Sequence, residues 1–259
     1  MTHFDHRLSK WSRRTLVRRS QDQTADTGTR SALVIAPHPD DETFGAGATI
    51  LRKRKAGARV DICVVSEGGA FENDEFTKDE LIAMRDVNLR KALARMDVPE
   101  ENLHQLGFPD GGLPAVQDQI ADKLAELLRE VRPDELFIPS VFDEHKDHIA
   151  VYGACRKAVE AVHPTCRIYT YPVWFWSWGS WHRFDSNVPT RILAALRFAY
   201  YTFRLQPRTI RQEGFVEGKR ELFEFYRWEL RDDYDFFELW YLNDDELFFE
   251  TKVGSSTKA

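Results

Sequence analysis

The run Ala32-Leu33-Val34-Ile35-Ala36-Pro37-His38-Pro39-Asp40-Asp41-Glu42 decides the fold. Its opening residues form a short apolar run, which reads as a buried strand. An imidazole and adjacent carboxylates follow at the carboxyl end of that strand, where open α/β sheets bind ligands. About a hundred residues later a second polar cluster, Asp143-Glu144-His145-Lys146-Asp147-His148, follows another apolar run, Glu135-Leu136-Phe137-Ile138-Pro139. Two His/Asp clusters at strand ends can converge into one metal site.

Outward from these runs, residues 31–171 alternate between strand and helix signals. Strands are expected near 31–36, 59–65, 103–107, 134–139 and 167–172, and helices near 43–56, 79–96, 116–130 and 149–162. Gly57 supplies a C-terminal stop for the first of these helices. Such alternation predicts a mostly parallel sheet with helices on both faces. Gly45-Ala46-Gly47 raises the rival reading of a dinucleotide fingerprint, with Glu67 as the ribose acid. The third glycine position is Ile50, and the glycines lie well past the strand end. Small residues that let the helix pack closely on the sheet are the better reading.

The flanks differ from this core. Residues 1–30 read as a basic N-terminal segment and linker. Phe4, Leu8, Trp11 and Thr15 or Leu16 recur at helical spacing among Arg7, Lys10, Arg13, Arg14, Arg18 and Arg19. A basic amphipathic helix of this kind suits peripheral contact with an acidic membrane surface or protein, or packing on its own domain. The polar stretch 20–30 is expected to be a linker. Residues 31–259 then read as one domain, with a core at 31–172 and an aromatic-rich C-terminal extension at 173–259. That extension opens with Trp174, Phe175, Trp176, Trp178 and Trp181, continues through a basic stretch from Arg191 to Arg211, and ends in an acidic, aromatic tail.

The chain has 259 residues and a formal net charge of -6, which gives no electrostatic case for nucleic acid. Cys63, Cys155 and Cys166 form no C-x-x-C pair, so free thiols in a reducing, cytoplasmic setting are expected. The most apolar helical window, Ile192 to Phe203, is interrupted by Arg197 and is too short for a membrane span.

The clusters point to hydrolytic metal chemistry. His38, Asp41 and His148 can supply two imidazoles and a carboxylate, three ligands that leave a position open. Two imidazoles favour Zn2+ over magnesium, and the same set suits Fe2+. Asp40, next to a ligand candidate, points elsewhere in the loop and can act as general base, because zinc lowers the pKa of water to about 7. His145, paired with Asp147, would be favoured as imidazolium and could stabilise an oxyanion or protonate a leaving amine.

On these residues the chain resembles the LmbE/PIG-L-like zinc-dependent N-acetylglucosamine deacetylases. Pro37-His38-Pro39-Asp40-Asp41-Glu42 matches the family's first motif, and His145-Lys146-Asp147-His148 matches its His-x-Asp-His motif. Ser66-Glu67-Gly68 and Asp110-Gly111-Gly112-Leu113 are weaker matches. The resemblance covers about residues 31–172 and implies a Rossmann-like fold. It implies His38, Asp41 and His148 as metal ligands, Asp40 as base, His145 as electrostatic stabiliser or acid, and Asp147 as its orienter. It also implies Arg85 and Asp110 as sugar-contacting residues. Lys219 to Trp228 resembles a family helix on the acceptor side of the pocket, but Arg227-Trp228 stands where the family carries Ser-Gln.

The expected activity is removal of an N-acetyl, or other N-acyl, group from a glucosamine-type sugar or glycoconjugate. The competing expectations are an amidase acting on a sugar-linked thiol conjugate, a metal phosphoesterase, and a non-catalytic sugar-binding protein. The aromatic crowd at 174–181 is expected either to stack on a sugar or lipid tail or to pack as core.

Overall fold

A computed structural model describes residues 3–251 except 71–74, 144, 177–195, 197–198 and 232–233. Trp178, Trp181, Arg191 and Glu144 lie outside the described residues, as do the side chains of Phe4, Arg7 and Leu8. An eight-stranded sheet, ordered β1-β7-β8-β6-β5-β2-β3-β4, forms the centre. The strands are β1 (Gln21–Asp22), β2 (Ala32–Ala36), β3 (Val60–Ser66), β4 (Leu103–Phe108), β5 (Glu135–Pro139), β6 (Arg167–Tyr171), β7 (Pro207–Arg211) and β8 (Asp245–Thr251). Every pairing is parallel except those of β8, which runs antiparallel to both β6 and β7. The mostly parallel α/β sheet is therefore as expected.

Alternation along the strands builds two cores. Ala32, Val34 and Ala36 of β2 face one, together with Val60, Ile62 and Val64 of β3. Leu33, Ile35, Cys63 and Val65 face the other. Helices α3 (Asp41–Lys55) and α4 (Lys78–Arg95) cover the first face along with the C-terminal third. Helices α5 (Gln117–Val131) and α6 (Lys146–Val162) cover the second. Gly45 is where α3 meets the sheet most closely: a Cβ there would sit 2.1 Å from the Tyr171 ring. Its role is close packing and not phosphate binding.

The chain order places the site. From β2 the sheet grows one way through β3 and β4, then crosses back to β5 on the other side of β2. The carboxyl ends of β2 and β5 flank this switch point, where a crevice opens. Both following helices start earlier than expected, at Asp41 instead of 43 and at Lys146 instead of 149. Acidic side chains favour the positive end of a helix, so Asp41 and Asp147 belong to first turns and not to loops.

The N-terminal region departs from its reading. Helix α1 (His3–Arg19) buries Ser9, Ser12 and Leu16, while Trp11 is 43% exposed. The inward stripe is thus 9–12–16, fixed by a 2.8 Å hydrogen bond between the hydroxyls of Ser12 and Thr202. The stretch 20–30 is not a linker. It supplies β1, which pairs with β7, and a helical turn, α2 (Thr24–Thr27). Lys53 explains this: its ammonium is buried against Glu135 at 2.6 Å and donates to the carbonyls of Thr27 and Arg30 at 2.7 and 2.9 Å. A buried charge must be paired and hydrogen-bonded, and the 20–30 stretch provides those acceptors. No helix among the described residues is long and apolar enough to cross a membrane.

Candidate metal and catalytic centre

Two strand ends and two helix starts meet at a cluster of three imidazoles. The ring centroids of His38, His145 and His148 lie 5.0 to 5.3 Å apart. Asp41 Oδ2 is the shared neighbour, 3.2 Å from His38 Nδ1 and 3.3 Å from His148 Nε2. It also accepts the His38 backbone N–H at 2.9 Å. His148 Nε2 is buried and has no hydrogen-bond partner, because its approach to Asp41 lacks hydrogen-bond geometry. Its other nitrogen, Nδ1, is held by Asp143 at 3.0 Å.

This arrangement fits a cation. Ligand atoms about 2.0–2.2 Å from a tetrahedral ion lie about 3.4 Å from one another. The two Asp41 separations are close to that. Among the described residues, the groups whose ligand atoms all lie within 4.8 Å of one another are His38 with His145 and His148, and His38 with Asp110 and Asp147; Asp41 is in neither. His38 belongs to every grouping.

Charge reinforces the point. Burial opposes protonation of His38, but its contacts with Asp110, Asp147 and Asp41 outweigh it and hold the imidazole well above its usual range. His148 is likewise disfavoured by burial, yet Asp41 and Asp143 hold it at about 9. Asp41 lies well below the carboxylate range, since His148 and His38 overcome the cost of burying its charge. Histidines are held as cations by surrounding carboxylates, a role a metal ion can take over once they are neutral.

Asp40 stands beside this set and outside it. Burial holds its carboxyl well above the usual range, against the pull of Arg85. Arg85 is only 4% exposed. It donates to Asp40 Oδ2 at 2.9 Å and to the Gly68 carbonyl at 3.1 Å. It also forms an ion pair with Glu229 at 2.8 Å and lies 3.7 Å from Asp110. Arg85 therefore lines the cavity as the clamp on Asp40, while its Nε, 2.8 Å from Glu229, makes no hydrogen bond. Asp110 is similarly occupied, accepting from the Ala70 N–H at 3.1 Å and approaching His38 Nε2 to 3.1 Å.

His145 and Asp147 sit in the cluster but do not pair as expected. Asp147 Oδ2 accepts the Gly111 N–H at 2.7 Å and lies 3.4 Å from His38 Nε2. Gly111 has φ +75, a conformation glycine adopts without strain, and this aims its N–H at the carboxylate. His145 Nδ1 has no hydrogen-bond partner. Burial and the nearby His148 and His38 push His145 down to about 4. The imidazolium is not favoured; the neutral ring, able to donate one N–H, is.

Several residues escaped the sequence reading. Asp143 was visible in the second cluster, but its role was not: it holds His148 and accepts the backbone N–H of Val173 and Trp174 at 3.0 and 3.2 Å. Glu42 closes the first motif, yet its side chain turns inward to Thr43 and Tyr226, and burial raises it to about 7. Glu229 carried no signal at all, since its partner Arg85 lies far away in sequence. The cavity above the cluster measures about 570 Å³ and is walled by Phe44, Trp174, Leu230 and Phe237 as well as the polar residues. Trp174 thus faces the cavity, while Phe175 and Trp176 are core.

Comparison with known proteins agrees with this geometry. Residues 33–159 match the family model described as PIG-L: GlcNAc-PI de-N-acetylase. The chain is 34% identical over 137 residues to a probable N-acetyl-alpha-D-glucosaminyl L-malate deacetylase 2 of Bacillus cereus, covering 50% of this chain and 61% of the relative. It is 30% identical over 169 residues to the 1D-myo-inositol 2-acetamido-2-deoxy-alpha-D-glucopyranoside deacetylase of Tsukamurella paurometabola, covering 51% and 56%. The chain thus spans less than two thirds of the length of these relatives. The structure of N,N'-diacetylchitobiose deacetylase from Pyrococcus horikoshii superimposes with a TM-score of 0.56 at 19% identity, covering 97% of this chain and 94% of that one, and shares the fold.

Proposed function

We propose, from the match of residues 33–159 to the PIG-L family model and from the geometry of the site, that this chain is a metal-dependent hydrolase. It removes the N-acetyl, or another N-acyl, group from the 2-amino position of a glucosamine-type sugar. One observation carries the reading. Asp41 Oδ2 lies 3.2 and 3.3 Å from nitrogens of His38 and His148, and a separate, partly buried Asp40 lines the cavity next to that set.

His38, Asp41 and His148 would hold the metal, and two imidazoles with one carboxylate favour zinc. When bound, zinc polarises the amide carbonyl and acidifies water. Asp40 takes the proton of the attacking water. Its raised pKa brings it nearer neutrality, where a general base works best, and Arg85 fixes its orientation. The neutral His145 offers an N–H to the developing oxyanion. Asp40 then delivers its proton to the departing amine. Burial around the cluster keeps these dipoles effective, because bulk water is largely excluded.

The aglycone is decided elsewhere. By their names, the relatives above act on N-acetylglucosaminyl malate and on the 2-acetamido-2-deoxy-glucopyranoside of inositol. Arg231 and the aromatic walls line the outer cavity, where an aglycone would lie.

Acetate release from N-acetylglucosaminyl malate, N-acetylglucosaminyl inositol and diacetylchitobiose tests the activity. Metal analysis of His38→Ala and His148→Ala tests the site. We expect about one zinc per chain in the unaltered protein and none in either variant. Full occupancy in both variants would overturn the ligand assignment, and no acetate from any of the N-acetylglucosamine compounds would overturn the substrate class.

A further inference from the structure

The surface where α1 meets the helical residues 199–204 is unusual in both polarity and charge. Trp11 is 43% exposed, Tyr200 55%, Phe203 56% and Leu196 63%. Leu196, Tyr200 and Phe203 recur at helical spacing, so they share one face. The Trp11 and Phe203 rings touch edge to face at 6.3 Å, which joins the two helices into one patch. Beneath it the helices are locked together. Ser12 and Thr202 share a hydrogen bond, and Arg19 donates to the carbonyls of Thr202 and Phe203. The exposed rings are therefore presented by a fixed scaffold.

The two chain segments that carry the patch are basic. Residues 6–21 carry six Lys or Arg and no acidic residue, and 186–212 carry five Arg and no acidic residue, in a chain of net charge -6. Among the described residues Lys10, Arg14, Arg18 and Arg204 are exposed around the aromatic patch.

We propose that this patch docks the protein on an anionic lipid bilayer. Large apolar and aromatic side chains flanked by cations match an interfacial surface: the rings enter the headgroup level while the cations meet lipid phosphate. Trp and Tyr favour that level because one part of each is apolar and another polar. Charge complementarity selects this partner over a second copy of the chain, whose equivalent face would be just as basic and would repel it. The patch is also tied to the catalytic loop. Tyr201 packs on Phe142 with ring centroids 4.8 Å apart, and Phe142 precedes Asp143. The inference does not depend on the identity of the substrate.

Co-sedimentation of the full chain with vesicles tests it. Binding is expected to vesicles of phosphatidylcholine with about one third phosphatidylglycerol, to be absent with phosphatidylcholine alone, and to weaken with salt. Arg14→Gln with Arg18→Gln should weaken binding about 30-fold, from about fivefold per charge removed. Trp11→Ala with Phe203→Ala should weaken it by about tenfold or more, through lost apolar contact. All four side chains are exposed, so thermal unfolding and zinc content should stay near those of the unaltered protein. Should the aromatic pair fail to fold, the arginine pair still decides the matter. The proposal is overturned if the unaltered chain ignores anionic vesicles at low salt, or if both variant pairs bind them as it does. It is also overturned if light scattering finds a dimer that the aromatic variant abolishes while vesicles go unbound.

Discussion

Arg85→Met separates two readings of one residue. As a sugar contact, Arg85 would be dispensable to the fold, and its loss would fall on KM. As a clamp, it balances a partly buried carboxylate, Asp40 at 2.9 Å, and a buried one, Glu229 at 2.8 Å, with side chains 17% and 3% exposed. Removing one member of a buried ion pair costs about 3–5 kcal/mol, because the partners left behind stay desolvated. For a domain of this size that corresponds to a fall in Tm of about 6–20 °C. The measurement is thermal or urea unfolding of metal-stripped protein, which removes any contribution from bound zinc. The deficit should depend on pH. Burial already holds Asp40 and Glu229 above their ordinary range, against the pull of Arg85. Without Arg85 both rise further, so their ionised forms become more costly. Stability contributed by a raised carboxyl is present at low pH and lost as pH rises through its folded pKa. The deficit should therefore be smallest near pH 5 and grow toward pH 8. Adding Glu229→Met to Arg85→Met should recover part of the loss, since an apolar pair replaces an unpaired charge. A single variant that loses less than about 1 kcal/mol while KM rises severalfold would refute the clamp and return Arg85 to the substrate.

Asp40→Asn should keep its zinc and lose about 10²–10⁴-fold in turnover, the usual contribution of a positioned base; loss of metal would mean that Asp40 is itself a ligand. His145→Ala should also keep its zinc and lose about 10²–10³-fold in kcat with little change in KM. The ring is pushed down to about 4 and stays neutral through the neutral range, so the shape of the pH–rate profile near pH 7 should not move. Asp143→Asn should weaken zinc about 10–100-fold by freeing His148 Nδ1, as measured by competition with a chelator; unchanged affinity would show that His148 needs no orienting partner.

The sequence carried the sheet and the ligand candidates because both depend on local pattern. Apolar runs at 32–36 and 135–139 mark buried strands, and the polar residues immediately after them can only lie at strand ends. What it did not carry was pairing across long separations. Glu229 is paired with Arg85, and Lys53 with Glu135, by a fold that neither neighbourhood announces. Nor did residue type reveal which neighbour a side chain selects. His145 and Asp147 are two residues apart and look like a pair, yet the starting turn of α6 sends Asp147 to Gly111 and His38. Helical spacing also misled in α1, where small serines face inward and Trp11 faces out. A stripe of large residues marks an inward face only when no closely packed partner prefers small ones.

The division of labour along the chain explains why chemistry and substrate are legible to different degrees. Every candidate ligand and Asp40 fall within 33–159, the segment shared with the family. Glu229, which completes the balance around Arg85, lies in the C-terminal third, and so do the cavity walls Trp174, Leu230, Arg231 and Phe237. The reacting centre is thus built on one segment and closed by another. A change in the C-terminal wall can reshape the space for an aglycone while His38, Asp41 and His148 keep their positions on the sheet. That third is also where the sequence parts from the family pattern, at Arg227-Trp228. Trp228 reaches across to Glu75 at 2.8 Å and to the Phe76 ring at 5.0 Å, away from the ligand cluster. The departure from the resembled pattern at Arg227-Trp228 therefore leaves His38, Asp41 and His148 untouched.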